Sequence, residues 1–355
     1  MLPTLHLQAT ALALAVSATT VGAAIAAPSD MTVDAAIRKE VISNTVQYLK
    51  ADYVFPDVAT KMAADLQARQ KRGEYDQIVS ALRLAEQLTT DMQAISHDKH
   101  LRVRYREEAI AEDKVEDDES PEEIARYERE AKGRNYGFRK VEMLDGNIGY
   151  LRLDNFEEPA IAGPTATAAM TFLSSASAVI IDLRSNGGGS PEMVQWLTSY
   201  LFSPTPVHLN DLYYRPQNAT TQYWTHAYVP GPRLSNTPVY VLTAKRTFSA
   251  AEEFSYNLKN LKRATLVGET TGGGAHPGRN YRVQAHFQVF VATGRAINPI
   301  SKTNWEGSGV TPDVAVTATD ALTTAHKLAL EATIKNSQDA DNRKRAETAL
   351  AKLAQ

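Results

Sequence analysis

The segment KRTFSAAEEF, residues 245–254, places a serine at the start of a predicted helix. A serine hydroxyl in this position could attack a carbonyl carbon if a neighbouring base accepted its proton. The same serine could instead cap the helix, because Ser249 and Glu252 have the spacing of a capping box. The tetrapeptide fits both roles, so other parts of the chain must distinguish them.

A run of three glycines follows an apolar segment in AVIIDLRSNGGGSPEMV. Glycine lets the backbone approach a ligand closely, and free amides before a helix can bind negative charge. Such amides suit an oxyanion hole, although a tight turn without a ligand has the same sequence. No Gly-Lys-Ser/Thr follows the glycines, so a phosphate-binding loop is not favoured.

The base for a serine nucleophile could be a histidine or a lysine. Among the eight histidines, His97 and His100 lie beside Asp98 at the loop-to-strand junction in SHDKHLRVRY. A structural role is the alternative for a histidine in such a place. The segment lacks the second ligand pair typical of a metal site, and the chain has no cysteine. We therefore predict no metal, no disulfide and no cofactor.

From residue 147 onward, predicted strands alternate with predicted helices. The apolar runs IGYLRL, AVIIDL, PVYVLT and FQVFVA are separated by helix-like stretches at 160–175, 190–202 and 249–262. This order predicts βαβ units and a mainly parallel sheet, in which ligands bind beyond the carboxyl ends of the strands. Residues 312–316 fit a last edge strand, and 321–355 a C-terminal helix.

The first third of the chain has a different pattern. Apolar residues at helical spacing predict a small helical domain over residues 28–95, and HLRVRY then alternates like a half-buried strand. Residues 106–134 are mostly charged, which is typical of a solvated insertion.

Composition and the first residues limit the class of protein. The chain has 355 residues, a formal net charge of -3 and 43% hydrophobic residues, so nucleic acid is not an expected partner. Residues 1–27 have an apolar centre and small residues at their end, which predicts a signal peptide cut near Ala26 or Ala27. A periplasmic or secreted protein without a further membrane segment is the expectation.

Five segments in order, GYLRLDNF, VIIDLRSNGGGS, TFSAAEEF, LVGETTGGGAHPG and WEGSGVTPDVAV, resemble the S41 peptidase family. The resemblance covers residues 31 to about 318. It implies an α/β fold, namely a crotonase-like ββα superhelix over residues 96–320 with a small N-terminal helical domain. The helical start and SHDKHLRVRY look most like the branch of interphotoreceptor retinoid-binding protein.

The resemblance implies roles for several residues. Ser249 aligns with the nucleophile, and the amide of Ala250 with that of Gly187 or Gly188 would form the oxyanion hole. In the C-terminal processing proteases of the family a lysine is the base. Gly274 occupies the position of that lysine, so the Ser/Lys dyad is absent.

Tricorn-like members of the family use a histidine and a glutamate, which fall on His100 and Glu306. A serine precedes the histidine in tricorn, whereas this chain has Lys99, and Asp98 is an alternative group to orient the imidazole. The charged segment 106–134 stands where processing proteases carry a PDZ domain, so none is expected.

The implied function is that of an exported serine endopeptidase, with a peptide or protein as substrate. A competing hypothesis is a carrier of apolar ligands such as retinoids or fatty acids, as in the retinoid-binding relatives. Aromatic residues that could line its pocket are Tyr213, Tyr214, Tyr223, Trp224 and Tyr228. An esterase with the same nucleophile is a third possibility.

Overall fold

A computed structural model describes residues 29–111 and 121–353 of the chain. The described helices are α1 (Ala35–Asp52), α2 (Pro56–Lys71), α3 (Ala81–Ser96), α4 (Pro121–Gly133), α5 (Pro159–Phe172), α6 (Pro191–Ser199), α7 (Ala250–Asn260), α8 (Ala321–Asn336) and α9 (Ala340–Leu353). The described strands are β1 (Arg102–Tyr105), β2 (Phe138–Leu144), β3 (Ile148–Leu153), β4 (Ala178–Asp182), β5 (His208–Tyr214), β6 (Ala219–Trp224), β7 (Val239–Thr243), β8 (Thr265–Gly268), β9 (Gly278–Gln284), β10 (Phe287–Ala292), β11 (Gly294–Ile297) and β12 (Val314–Ala315).

The central sheet has six strands in the order β12-β8-β7-β4-β3-β2. All neighbours in it are parallel except the β2–β3 pair. Every residue of β4 and β7 is buried, because helices cover both faces of the sheet. Val179 and Val241 pack against α5, α6 and α7, whereas Ile180 and Leu242 pack against α8 and α9. The predicted parallel sheet with helices is therefore confirmed.

The N-terminal helices share their core with a second sheet rather than packing only against one another. This sheet is antiparallel, in the order β1-β10-β9. Val283, Phe287 and Val289 enter the same buried cluster as the apolar faces of α1, α2 and α3. The segment FQVFVA thus lies in this antiparallel sheet and not in the parallel one, which its period alone could not indicate. The third sheet is also antiparallel, in the order β11-β5-β6.

The C-terminal region forms two helices instead of the single predicted one. Ser337 leaves the helical conformation with ψ 132°, and Asp339 Oδ1 accepts hydrogen bonds from the amides of Asp341 and Asn342 at the start of α9. The chain therefore turns back, so that α8 and α9 pack together on one face of the central sheet.

Two of the sequence predictions concern the ends of the described ranges. The predicted signal peptide, residues 1–27, lies outside the described residues. The charged insertion includes α4, and its residues 112–120 are likewise not described. Within the described ranges, no helix combines the length and the apolarity that a membrane crossing requires.

Candidate active site

Ser249 lies between the end of β7 and the start of α7, at the carboxyl edge of the central sheet. Its backbone has φ 54° and ψ -123°, a conformation that costs a residue with a Cβ on the order of 1–3 kcal/mol. The backbone amide donates to Glu252 Oε2 at 2.9 Å and the Ser249 side chain faces the Glu252 amide, so the predicted capping box is formed. A cap residue normally has an extended backbone, and the strained backbone therefore distinguishes this serine from an ordinary helix cap.

Glu252 connects the Ser249 turn to the loop before β9. Its carboxylate accepts from the Thr271 hydroxyl at 2.5 Å and from the amides of Gly273 and Gly274 at 2.6 and 2.8 Å, besides that of Ser249. Burial raises the pKa of Glu252, and these hydrogen bonds oppose the rise. The side chain thus fixes the backbone of the serine turn relative to residues 271–274.

The glycine turn after β4 lies against Ser249. Gly188 has φ 118°, and a Cβ there would lie 2.7 Å from the Ser249 Cβ and 3.2 Å from the Ala250 nitrogen, so only glycine fits. The Gly188 amide donates to Asn186 Oδ1 at 2.8 Å. Within the described residues, the amides of Gly187 and Ala250 donate no hydrogen bond. They are therefore free to bind an oxyanion.

His100 is buried near the same loop, although it makes no hydrogen bond to Ser249 in this structure. Its ring packs on the Phe248 ring with 4.6 Å between centroids, and on Phe290 at 5.9 Å. Its Nδ1 atom is buried and has no partner within the described chain. The imidazole is thus held by aromatic packing, in part against Phe248, the residue that precedes Ser249 in the chain.

Gly274 lies directly against the rings of Phe248 and His100. A Cβ at Gly274 would lie 2.2 Å from the Phe248 Cζ and 2.6 Å from the His100 Cε1. Those distances are far below an ordinary van der Waals contact. The His100 and Phe248 rings fill the space that a side chain at position 274 would need, so a lysine there and His100 in this position exclude each other.

On the expectation from the sequence that this is a peptidase with His100 as base, Gly274→Ala should lower kcat by about 100-fold, because the added methyl group must displace the His100 ring. Gly163→Ala is the matched control, since the nearest atom to its added Cβ lies at 4.0 Å. Steady-state kinetics on a cleaved peptide would measure both variants. Unchanged kcat in Gly274→Ala would contradict a role for His100 in its present position.

Asp98 and Glu306 both contact His276, a residue for which no role was predicted from the sequence. His276 Nδ1 lies 3.1 Å from Asp98 Oδ2 and 3.4 Å from Glu306 Oε2. Asp98 Oδ1 accepts from the His100 backbone amide at 2.9 Å, and Glu306 Oε2 accepts from the Ala275 amide at 2.5 Å. These contacts form a continuous connection from Glu306 through His276 and Asp98 to the backbone of His100.

The electrostatics of this connection follow from burial. Burial acts to raise the pKa of Asp98, but the hydrogen bond and charge of His276, with the contribution of His100, hold it below the usual value. Burial raises the pKa of Glu306 to about 7, against the attraction of His276. The three side chains lie close enough to surround a cation. The atoms that face one another, His276 Nδ1, Asp98 Oδ2 and Glu306 Oε2, already have hydrogen-bond partners, and we assign no metal to them.

Lys99 does not contact Glu306. Its ammonium donates to the Gly272 carbonyl oxygen at 2.5 Å and therefore points to the loop. The residue that contacts both Asp98 and Glu306 is His276. The only sequence signal for it was its place in TTGGGAHPG, two residues after Gly274, since no spacing relates it to a residue 178 positions earlier.

The aromatic residues considered for an apolar pocket lie in different surroundings. The Tyr223 hydroxyl donates to Glu192 at 2.9 Å, and Trp224 stacks on His208 with 4.3 Å between centroids. Tyr228 is 78% exposed. None of the five lines the cavity beside Ser249.

Two family models match the chain. Peptidase family S41 matches residues 147–316, and the N-terminal domain of Peptidase_S41 in eukaryotic IRBP matches residues 29–135. The chain therefore belongs to peptidase family S41. The motifs and the helical domain that suggested this family in the sequence are thus confirmed.

A curated relative and several solved structures are similar to this chain. Carboxyl-terminal-processing peptidase 2, chloroplastic, of Arabidopsis thaliana is 28% identical over 172 residues, which is 47% of this chain but only 31% of that protein. A putative peptidase from Parabacteroides merdae has a TM-score of 0.57 at 18% identity, over 85% of this chain and 99% of that chain. The tricorn protease has a TM-score of 0.52 at 13% identity, over 90% and 37%. The structural likeness shows that the fold is shared.

Proposed function

We propose that this protein is an exported serine endopeptidase in which Ser249 is the nucleophile and His100 the base. One observation carries the proposal: a strained serine lies against a glycine turn with free amides, and the residue before it, Phe248, packs on a buried histidine. Family membership supports the reaction class, and peptide or protein is the corresponding substrate.

In the proposed reaction, Ser249 Oγ attacks the carbonyl carbon of the scissile peptide bond while His100 takes the hydroxyl proton. The oxyanion receives hydrogen bonds from the amides of Ala250 and Gly187, with Gly188 contributing when its bond to Asn186 is exchanged or shared. His100 then protonates the leaving amine, and water releases the acyl group in a second step of the same kind. A loose pairing of base and nucleophile before substrate binds is common in such sites.

In this proposal His276 is a positioning residue that replaces the polar link of the tricorn-like site. Its Nδ1 atom faces the carboxylates of both Asp98 and Glu306, and Asp98 in turn accepts a hydrogen bond from the His100 backbone amide. The link fixes the segment that carries the base, so that the imidazole is aligned before the reaction begins.

We expect His276→Phe to lower kcat by about 100-fold with little change in KM, because the ring volume stays while the contacts to Asp98 and Glu306 are lost. His276→Asn, which keeps a nitrogen near the Nδ1 position, should restore most of the loss. His286→Asn, on the hairpin between β9 and β10, is the control. A kcat loss that asparagine does not restore would mean that His276 only supports the packing.

The pH dependence should report the buried base. Burial lowers the pKa of His100 to about 4, with Asp98 opposing this and the charges of Arg102 and His276 adding to it. A lowered pKa keeps the imidazole neutral, and thus able to accept a proton, at any pH above that value. We expect the acid limb of kcat/KM between about pH 4 and 5 rather than near the usual pKa of about 6.5. A limb centred above pH 6 would indicate a different base.

A fluorophosphonate probe tests the reaction class. Labelling that requires Ser249 and His100, together with cleavage of members of a peptide library, supports the endopeptidase. If the probe labels Ser249 and the protein hydrolyses esters but not peptides, the protein is an esterase rather than an endopeptidase. The absence of labelling, with saturable binding of a fatty acid or retinoid, would favour the carrier. Export is tested by the mass of the mature chain, which should begin after Ala26 or Ala27.

A further inference from the structure

A small cavity opens beside Ser249, and its volume is about 60 Å³. Ser249, Ala250 and Glu253 border it from the first turn of α7, and Leu212, Ala296 and Trp305 close the opposite side. A cavity needs about 10–15 Å³ of such space to hold one water molecule. The cavity therefore has room for a side chain of very few heavy atoms.

The end of this cavity is polar, although it lies within the protein core. Glu253 is 5% exposed, and the fully buried amides of Asn210 and Asn257 face its carboxyl group. Hydrogen bonds from these two amides hold the Glu253 carboxyl, and among the three groups only Glu253 borders the cavity. Glu253 is therefore the buried polar group that a ligand in the cavity would meet.

The protonation state of Glu253 suits a small polar partner. Burial raises the pKa of Glu253 to about 8, with the negative charge of Glu192 adding to the rise and the two asparagine amides opposing it. The carboxyl is therefore mostly protonated at neutral pH, and it can both donate and accept a hydrogen bond. A hydroxyl group can do the same.

We propose that this cavity is the specificity pocket for the residue that supplies the scissile carbonyl, and that Glu253 selects small side chains there, serine before alanine. The inference rests on the proposed peptidase function. The side chain of that residue is attached two bonds from the carbonyl carbon that Ser249 attacks. The cavity begins at Ser249 and at Ala250, whose amide binds the carbonyl oxygen in the proposed reaction, so this side chain points into it.

The experiment is cleavage of peptides that differ only at the residue before the scissile bond, with glycine, alanine, serine, valine, leucine or phenylalanine there. We expect kcat/KM for the serine peptide to be at least about tenfold higher than for the leucine and phenylalanine peptides. It should also be several-fold higher than for the alanine peptide. Glu253→Leu should abolish the preference for serine over alanine, whereas Glu253→Gln should keep most of it. Glu269→Gln is the matched control, because Glu269 lies outside the cavity.

A second variant tests the size of the cavity without changing its polar end. Ala296→Val narrows the opposite wall and should reduce cleavage after serine more than cleavage after glycine. Equal cleavage after small and large residues, or a serine preference that survives Glu253→Leu, would overturn the inference while fluorophosphonate labelling still supported the peptidase. If the wild-type protein is neither labelled by the probe nor able to cleave any of the peptides, both the peptidase function and the pocket assignment are wrong.

Discussion

Ser249→Ala is expected to lower the rate of peptide hydrolysis by about 10⁶-fold and to leave folding intact, because removal of a serine nucleophile has effects of that order. The substitution keeps the Cβ and the backbone hydrogen bond to Glu252, and it removes only the hydroxyl half of the capping box. The measurements are progress curves on a cleaved peptide and the free energy of unfolding in urea.

Ser255→Ala on the same helix is the matched control for that prediction. Its hydroxyl donates to the Ala251 carbonyl oxygen at 2.8 Å, so the loss changes one local hydrogen bond and no group of the proposed site. Stability should fall by about 1 kcal/mol at most, with kcat nearly unchanged. If Ser249→Ala retained activity within tenfold of the wild type, the nucleophile would have to be another residue.

His100→Gln is expected to lower kcat by about 10⁴- to 10⁶-fold, because glutamine cannot accept the proton of the Ser249 hydroxyl. The rate of labelling by a fluorophosphonate should fall in parallel, since that reaction needs the same activated serine. Both rates can be measured on one preparation. This pairing separates a chemical defect from weaker binding of the peptide.

The control for this substitution is His97→Asn, three positions earlier in the chain. His97 is exposed and left-handed, with φ 56°, a conformation that asparagine also adopts readily. We expect wild-type rates from it. Labelling at the normal rate in His100→Gln would remove His100 from the reaction and leave His276 or Glu306 as the group to test next.

Ser249 has a strained backbone, whereas an ordinary helix cap has an extended one. The predicted capping box is present, and the Glu252 carboxylate also accepts hydrogen bonds from the amides of Gly273 and Gly274. The same carboxylate therefore caps the helix and positions the loop that carries His276. A spacing of three residues could not reveal the second task.

Gly274 is a second residue whose surroundings could not be predicted from the sequence. The family resemblance implied that Gly274 stands where the processing proteases have a lysine, but it could not indicate what fills that space. The structure shows two aromatic rings, those of His100 and Phe248, within a distance that excludes any side chain at position 274. The absence of a side chain at position 274 is thus explained by the positions of the His100 and Phe248 rings.

The sequence by itself determined the alternation of strands and helices, the helical start and the family, because these depend on local periodicity and on motifs of adjacent residues. The antiparallel place of β10, the junction of Asp98, His276 and Glu306, and the polar cavity at Glu253 were decided by tertiary structure alone. Each of them joins side chains that are far apart along the chain, and only the packing of helices and sheets around common cores brings such side chains into contact.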